Sequence, residues 1–134
     1  MTISCTNKEM LANDKVKAGT NAAADVLDGV SDIIRQRSGT HGDAFENLSD
    51  IGRRWSNFIN GKMARDGCDV TSLRLSAADV AYMMVEMKLS RATYGDDAEL
   101  DHPMDIVGYA AIWAAFVKKM KEAAQLNKKA NPVN

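Results

Sequence analysis

Apolar residues recur at helical spacing in four stretches of the chain, and nowhere do they alternate as a half-buried strand requires. Val26, Leu27, Val30, Ile33 and Ile34 form a first stripe, closed by Arg35, Arg37, Ser38 and Gly39. Phe45, Leu48, Ile51, Trp55, Phe58 and Ile59 form a second; Asp43 with Glu46 three residues on predicts its N-cap, and Asn60-Gly61 its end. Gly52 lies on that stripe between Leu48 and Trp55, where glycine costs about 1 kcal/mol relative to alanine, so a neighbouring group is expected to come close to it. Ser76 with Asp79 predicts the cap of a third helix, and Val80, Ala81, Met83, Met84, Val85, Met87 and Leu89 leave it little polar surface, which predicts a central position. Pro103 suits the first position of a fourth helix with His102 as its cap. Through Val117 that helix is apolar nearly all round, which predicts burial on every side by this chain or by a second copy.

The polar segments divide the rest. Residues 1–20 are aperiodic and read as a loose arm or one short helix, residues 21–126 as a single helical domain, and residues 127–134 as a tail. Gly61–Leu75 and Thr93–His102 read as connections. The expected architecture is all-α, a compact four- to five-helix bundle that associates into a homo-oligomer.

A chain of 134 residues can bury one core without staples. A net charge of -1 provides no overall basic field, which disfavours duplex nucleic acid as a partner. Cys5 and Cys68 have no CxxC spacing, and no secretory pattern opens the sequence, so a reducing cytosol is the expected compartment. The apolar run from Ile106 to Val117 is too short for a membrane span, which takes roughly 20 residues.

Candidate chemistry concentrates between Ser76 and Tyr109. Lys88 and Arg91, three residues apart, lie on nearly the same helical face and could jointly hold a phosphate, or could simply complement the helix C-terminus. Asp101 and Asp105, four apart, could hold a divalent cation such as Mg²⁺ together with Glu86, or could serve the first turn of the fourth helix. His41-Gly42-Asp43 is a polar turn able to close over a ligand. Trp55, Tyr109 and Trp113 offer rings for stacking on a base, with core packing as the alternative. His41 and His102 have no partner at zinc-ligand spacing, and no P-loop, Rossmann fingerprint or nucleophile elbow is present.

The combination of HGDAFEN, IGRRWSNFI, LSAADVAYMMVEMKLSRA and DHPMDIVGYAAIW resembles a family of small phage and prophage proteins, over about Arg35 to Trp113. That family is in turn similar to the all-α, MazG-like nucleotide pyrophosphohydrolases and to phage nucleotide-modification-associated domains. The resemblance implies a site with Arg37, His41, Gly42, Phe45, Asn47 and Trp55 on one side, and Glu86, Lys88, Arg91, Asp101, Asp105, Gly108 and Tyr109 on the other. It also implies a homo-dimer or homo-tetramer in the cytoplasm of an infected bacterium. MazG-like enzymes hold magnesium with an ExxE and an ExxD; this chain instead has Glu46 with Asp50, Asp101 with Asp105, and a lone Glu86.

Three functions are therefore expected to compete. In the first, Lys88, Arg91 and Arg37 take phosphates and His41, Trp55 or Tyr109 takes the base or ribose of a nucleotide sequestered without turnover, for instance a cyclic immune signal soaked up by an anti-defence sponge. In the second, Glu86, Asp101 and Asp105 hold Mg²⁺ for pyrophosphohydrolysis. In the third, the chain is a helical protein-interaction module. The missing ExxE and ExxD favour the first over the second.

Overall fold

The computed structural model describes residues 5–69, 72–95 and 101–130. Regular structure among them is entirely helical, in four elements: α1 (Cys5–His41), α2 (Ala44–Arg65), α3 (Ala77–Tyr94) and α4 (Asp101–Ala130). The expectations for residues 1–4, for Asp96, Asp97 and Glu99 of the acidic loop, and for residues 131–134 lie outside the described residues.

The position expected to divide arm from domain, residue 20, falls inside α1, which is continuous across it for 37 residues. From Lys17 to Asp28 the side chains of α1 are exposed, Val26 and Leu27 among them, and burial begins at Gly29 and Val30. The apolar stripe read from the sequence is therefore covered by this chain only in its C-terminal half. Gly42 then turns the chain with a φ of +78°, a region that glycine enters without a Cβ penalty. The Asp43 carboxylate accepts from the Glu46 N–H at 3.0 Å to open α2, as the spacing predicts.

Asn60-Gly61, read as the end of the second helix, does not end it; α2 continues to Arg65. The reason lies in what Asn60 does. Its side-chain amide donates to the Leu73 carbonyl and its side-chain oxygen accepts from the Leu73 N–H, both at 3.0 Å, so it clamps the returning chain and leaves the helix backbone intact. Lys62 and Asp66 pair at 2.8 Å across the last turn, and the helix closes where Gly67 takes a φ of +74°. One helical turn before Asn60, Ser56 is buried, donating to the Gly52 carbonyl at 2.6 Å and accepting from the Leu75 N–H at 2.8 Å. A turn earlier again, a Cβ on Gly52 would lie 2.5 Å from the Leu75 carbonyl oxygen. The close neighbour expected at Gly52 is thus the backbone entering α3.

Ser76 and Asp79 form the full capping box that opens α3, each satisfying the other's backbone N–H. Helices α3 and α4 run antiparallel: Tyr82 meets Trp113, and Lys88 meets Asp105. Leu48, Ala77, Ala78, Val80, Ala81 and Phe116 make the core, with Val80 fully buried and Phe45 set edge-on to Phe116 at 5.3 Å. The core thus sits at the N-terminal end of α3.

Helix α4 begins at Asp101, two residues before the proline expected to open it. Pro103 still falls in the first turn, where backbone N–H groups have no intrahelical partner to lose. Burial of α4 on all sides is not found within one chain: among the described residues of α4 only Phe116 is buried, and Trp113 is 38% exposed. No helix of the described residues is long and apolar enough to cross a membrane.

Candidate functional site

Between the C-terminal half of α1, the start of α2 and the first half of α4 lies a cavity of about 420 Å³. Its walls are apolar: Val30, Ile33 and Ile34 from α1, Leu48 from α2, and Met104 and Ile112 from α4. Its polar groups are Arg37, Ser38, His41, Asn47, Asp105 and Tyr109. The helical period explains the convergence. Arg37 and His41 lie one turn apart on α1, as Asp105 and Tyr109 do on α4, so each helix turns two polar groups to the same opening. Gly108 sits between the latter pair, and a Cβ there would lie 3.7 Å from a Val30 methyl, so the two helices cross close together below the cavity.

Asp105 is the electrostatic centre. Lys88 reaches it from α3 at 2.6 Å, and Arg37 from α1 at 3.7 Å. The Lys88 and Asp105 side chains keep only 14% and 22% of their exposure, whereas Arg37 keeps 58%. The tight pair is therefore Lys88–Asp105, and Arg37 is the cation that stands at the opening. Two cations share one carboxylate, so Arg37, the exposed and more loosely paired of the two, is free to turn to an anion. His41 sits at the exposed α1 end of the same cavity, its Nδ1 2.7 Å from the Thr40 hydroxyl.

Of the residues named from the sequence, Arg37, His41, Gly42, Asn47, Asp105, Gly108 and Tyr109 line this cavity, and Lys88 reaches it through Asp105. Arg91 is exposed near the end of α3 and does not line this cavity, and Lys88 is paired with Asp105. Trp55 packs against the core cluster and does not line the cavity. Glu86 is exposed beside Tyr82, whose hydroxyl hydrogen-bonds to the Glu86 carboxylate; that bond, with the adjacent negative charge, raises the phenol above its usual pKa of 10.0. No group of three or more His, Cys, Asp or Glu among the described residues is placed to hold a metal ion. Glu86 lies beside Tyr82, and Asp105 is paired with Lys88 and Arg37.

Ser38, Met104 and Ile112 belong to the cavity without having been singled out. Each follows from the helical register: Ser38 is one turn before His41, Met104 one turn before Gly108, and Ile112 one turn beyond it.

Compared with known families, residues 25–117 match a domain of unknown function, DUF6378, and the chain belongs to that family. The matched span runs from the exposed part of α1 to just past Phe116, so it contains every element that builds the cavity. No curated protein and no solved structure shows significant similarity to the chain.

Proposed function

Starting from a DUF6378 domain with an apolar cavity and a cation at its mouth, we propose that the protein binds a nucleotide and holds it without turnover, as a phage-type sequestering protein. The single observation that carries this is the pairing of Arg37 and Tyr109 in one apolar cavity of about 420 Å³, within the roughly 300–1,000 Å³ typical of small-molecule sites. Arg37 receives a phosphate, while Lys88 keeps Asp105 paired. Tyr109 offers a ring to the base and His41 a polar contact to the sugar. The apolar walls exclude water, which strengthens every charged contact inside. Cyclic oligonucleotide signals are the ligand class that suits an anti-defence sponge, and the protein works as a homo-dimer or homo-tetramer in the cytoplasm.

Sequestration is preferred to MazG-like hydrolysis because the carboxylates face other partners: Asp105 faces cations of its own chain, and Glu86 a phenol. The test is to incubate the full chain with nucleoside triphosphates and cyclic di- and trinucleotides, with and without Mg²⁺, then deproteinise and chromatograph. A ligand that leaves solution and returns unaltered on denaturation supports sequestration. Conversion of a triphosphate to monophosphate and pyrophosphate sinks it in favour of the enzyme, and no interaction with any nucleotide sinks both.

A further inference from the structure

We propose that the outer face of the α3–α4 hairpin is where two copies of this chain meet, related by a two-fold axis that sets their α4 helices antiparallel. This deepens the oligomeric part of the reading above and is independent of its ligand.

The first observation is an aromatic pair left uncovered. Tyr82 and Trp113 meet edge-on at 5.1 Å and 63°, yet remain 44% and 38% exposed. Met120 and Leu89 add further exposed apolar surface on the same two helices. Beside Trp113 an apolar groove of about 630 Å³ runs along α4 past Val117 to Lys121 and Gln125. Tyrosine and tryptophan at the centre of such a patch are the residues that dominate protein–protein contacts.

The second is area. The chain exposes 10,714 Å², where a compact monomer of its mass exposes about 6,900 Å². The excess is several times the roughly 800 Å² that each partner of a standard interface contributes. Part of it lies on the exposed sides of α3 and α4, where Tyr82, Leu89, Trp113, Met120 and Leu126 are uncovered.

The third identifies the occupant. Glu86 lies one turn from Tyr82 on α3, and because α3 and α4 are antiparallel it stands level with about Tyr109 of α4. Lys118 and Lys121, against Glu122, line the opposite end of the groove. The face is thus acidic at one end, aromatic in the middle and basic at the other. A two-fold axis crossing α4 between Trp113 and Val117 lays each Trp113 on the other copy's Val117. It also brings each Lys121 to the other copy's Glu86. A surface whose two ends are complementary to each other is what an isologous contact requires.

Sedimentation equilibrium of the full chain at micromolar concentration is the experiment. The wild type is expected to be a dimer, and Trp113→Asp a monomer with unchanged helical circular dichroism; Met120→Asp serves if the first variant loses its fold. Glu86→Lys and Lys121→Glu, each alone, place like charges across the axis and are expected to weaken the dimer about tenfold or more. Mixing the two variants restores it, since each then supplies the charge the other lacks. A monomeric wild type overturns both this interface and the oligomeric reading. A dimer indifferent to Trp113→Asp and Met120→Asp overturns the interface alone, and failure of the mixture to recover overturns the antiparallel arrangement.

Discussion

The α2–α3 junction and the α1–α4 cavity are built from similar helices but to opposite ends. At the junction polar groups bind the incoming segment: Ser56 satisfies one of its backbone N–H groups, Asn60 both groups of Leu73, and Gly52 removes a Cβ that would hold the chain away. At the cavity the helices cross without closing, Arg37 stays more than half exposed, and an apolar hollow remains beside it. Where packing is completed the residues specify a fold; where it is left open with a charge at the rim, they are available for a ligand. Substitutions at the two places should therefore separate stability from binding.

The largest effect is expected from Gly52→Ala. The added methyl would sit 2.5 Å from a backbone oxygen that cannot rotate away, so α2 and the segment leading into α3 must part. Overpacking of this kind costs about 3 kcal/mol, visible as a large drop in the denaturant midpoint. If Gly52→Ala melts like wild type, the junction is not the rigid part of the molecule. Asp105→Ala comes next. It strands Lys88, whose side chain is mostly buried; a fully buried pair broken on one side costs about 3 to 5 kcal/mol, and with the remaining solvent exposure roughly 2 is expected. Lys88→Met in the same chain should recover much of that loss, since it removes the stranded charge, whereas a merely capping role for Asp105 predicts no recovery. Ser56→Ala follows, at about 1 to 2 kcal/mol for a Leu75 N–H left without its acceptor.

Arg37→Ala inverts the pattern. Its side chain is exposed and its ion pair long, so stability should shift by no more than about 0.5 kcal/mol. Loss of a charge-assisted phosphate contact should cost nucleotide binding roughly 1.5 to 3 kcal/mol, about ten- to a hundredfold in Kd by calorimetric titration. A variant that binds normally would show that the rim cation is ornamental.

The same contrast explains what the sequence reveals and what it conceals. The Asp43 and Ser76 caps and the close approach at Gly52 are local consequences of helical period and of backbone sterics, and all are found, whereas the stripes are only partly covered, Val26, Leu27 and Phe58 remaining exposed. Asn60-Gly61 misleads because the same side chain that signals a helix end is used to grip a segment thirteen residues away. Lys88 pairs across the hairpin with Asp105, a contact decided by how α3 packs on α4 and not by spacing along either helix. Seven of the residues named for a site line one cavity: Arg37, His41, Gly42 and Asn47 from α1, the turn and α2, and Asp105, Gly108 and Tyr109 from α4. That α1 and α4 present them to one opening is set by how the two helices pack, with Val30 beside Gly108, a tertiary fact with no local sign.

The smallest effect is expected on the outside of α2, away from both regions. Asp50 accepts hydrogen bonds from Arg54 Nε at 2.6 Å and from Arg53, and these hold its carboxyl below the usual 3.8. Because the folded-state pKa is the lower one, the contribution of this cluster is fully present above the unfolded value and is lost as pH falls through the folded value. Melting temperature should therefore decline below about pH 4, and Asp50→Asn should flatten part of that decline while changing little at pH 7, since exposed pairs are strongly screened. Adding salt at pH 7 should mimic the substitution. If acid and salt leave the melting profiles of wild type and Asp50→Asn parallel, the arginines of α2 do not depend on Asp50, and their charges remain available on a surface that neither the junction nor the cavity uses.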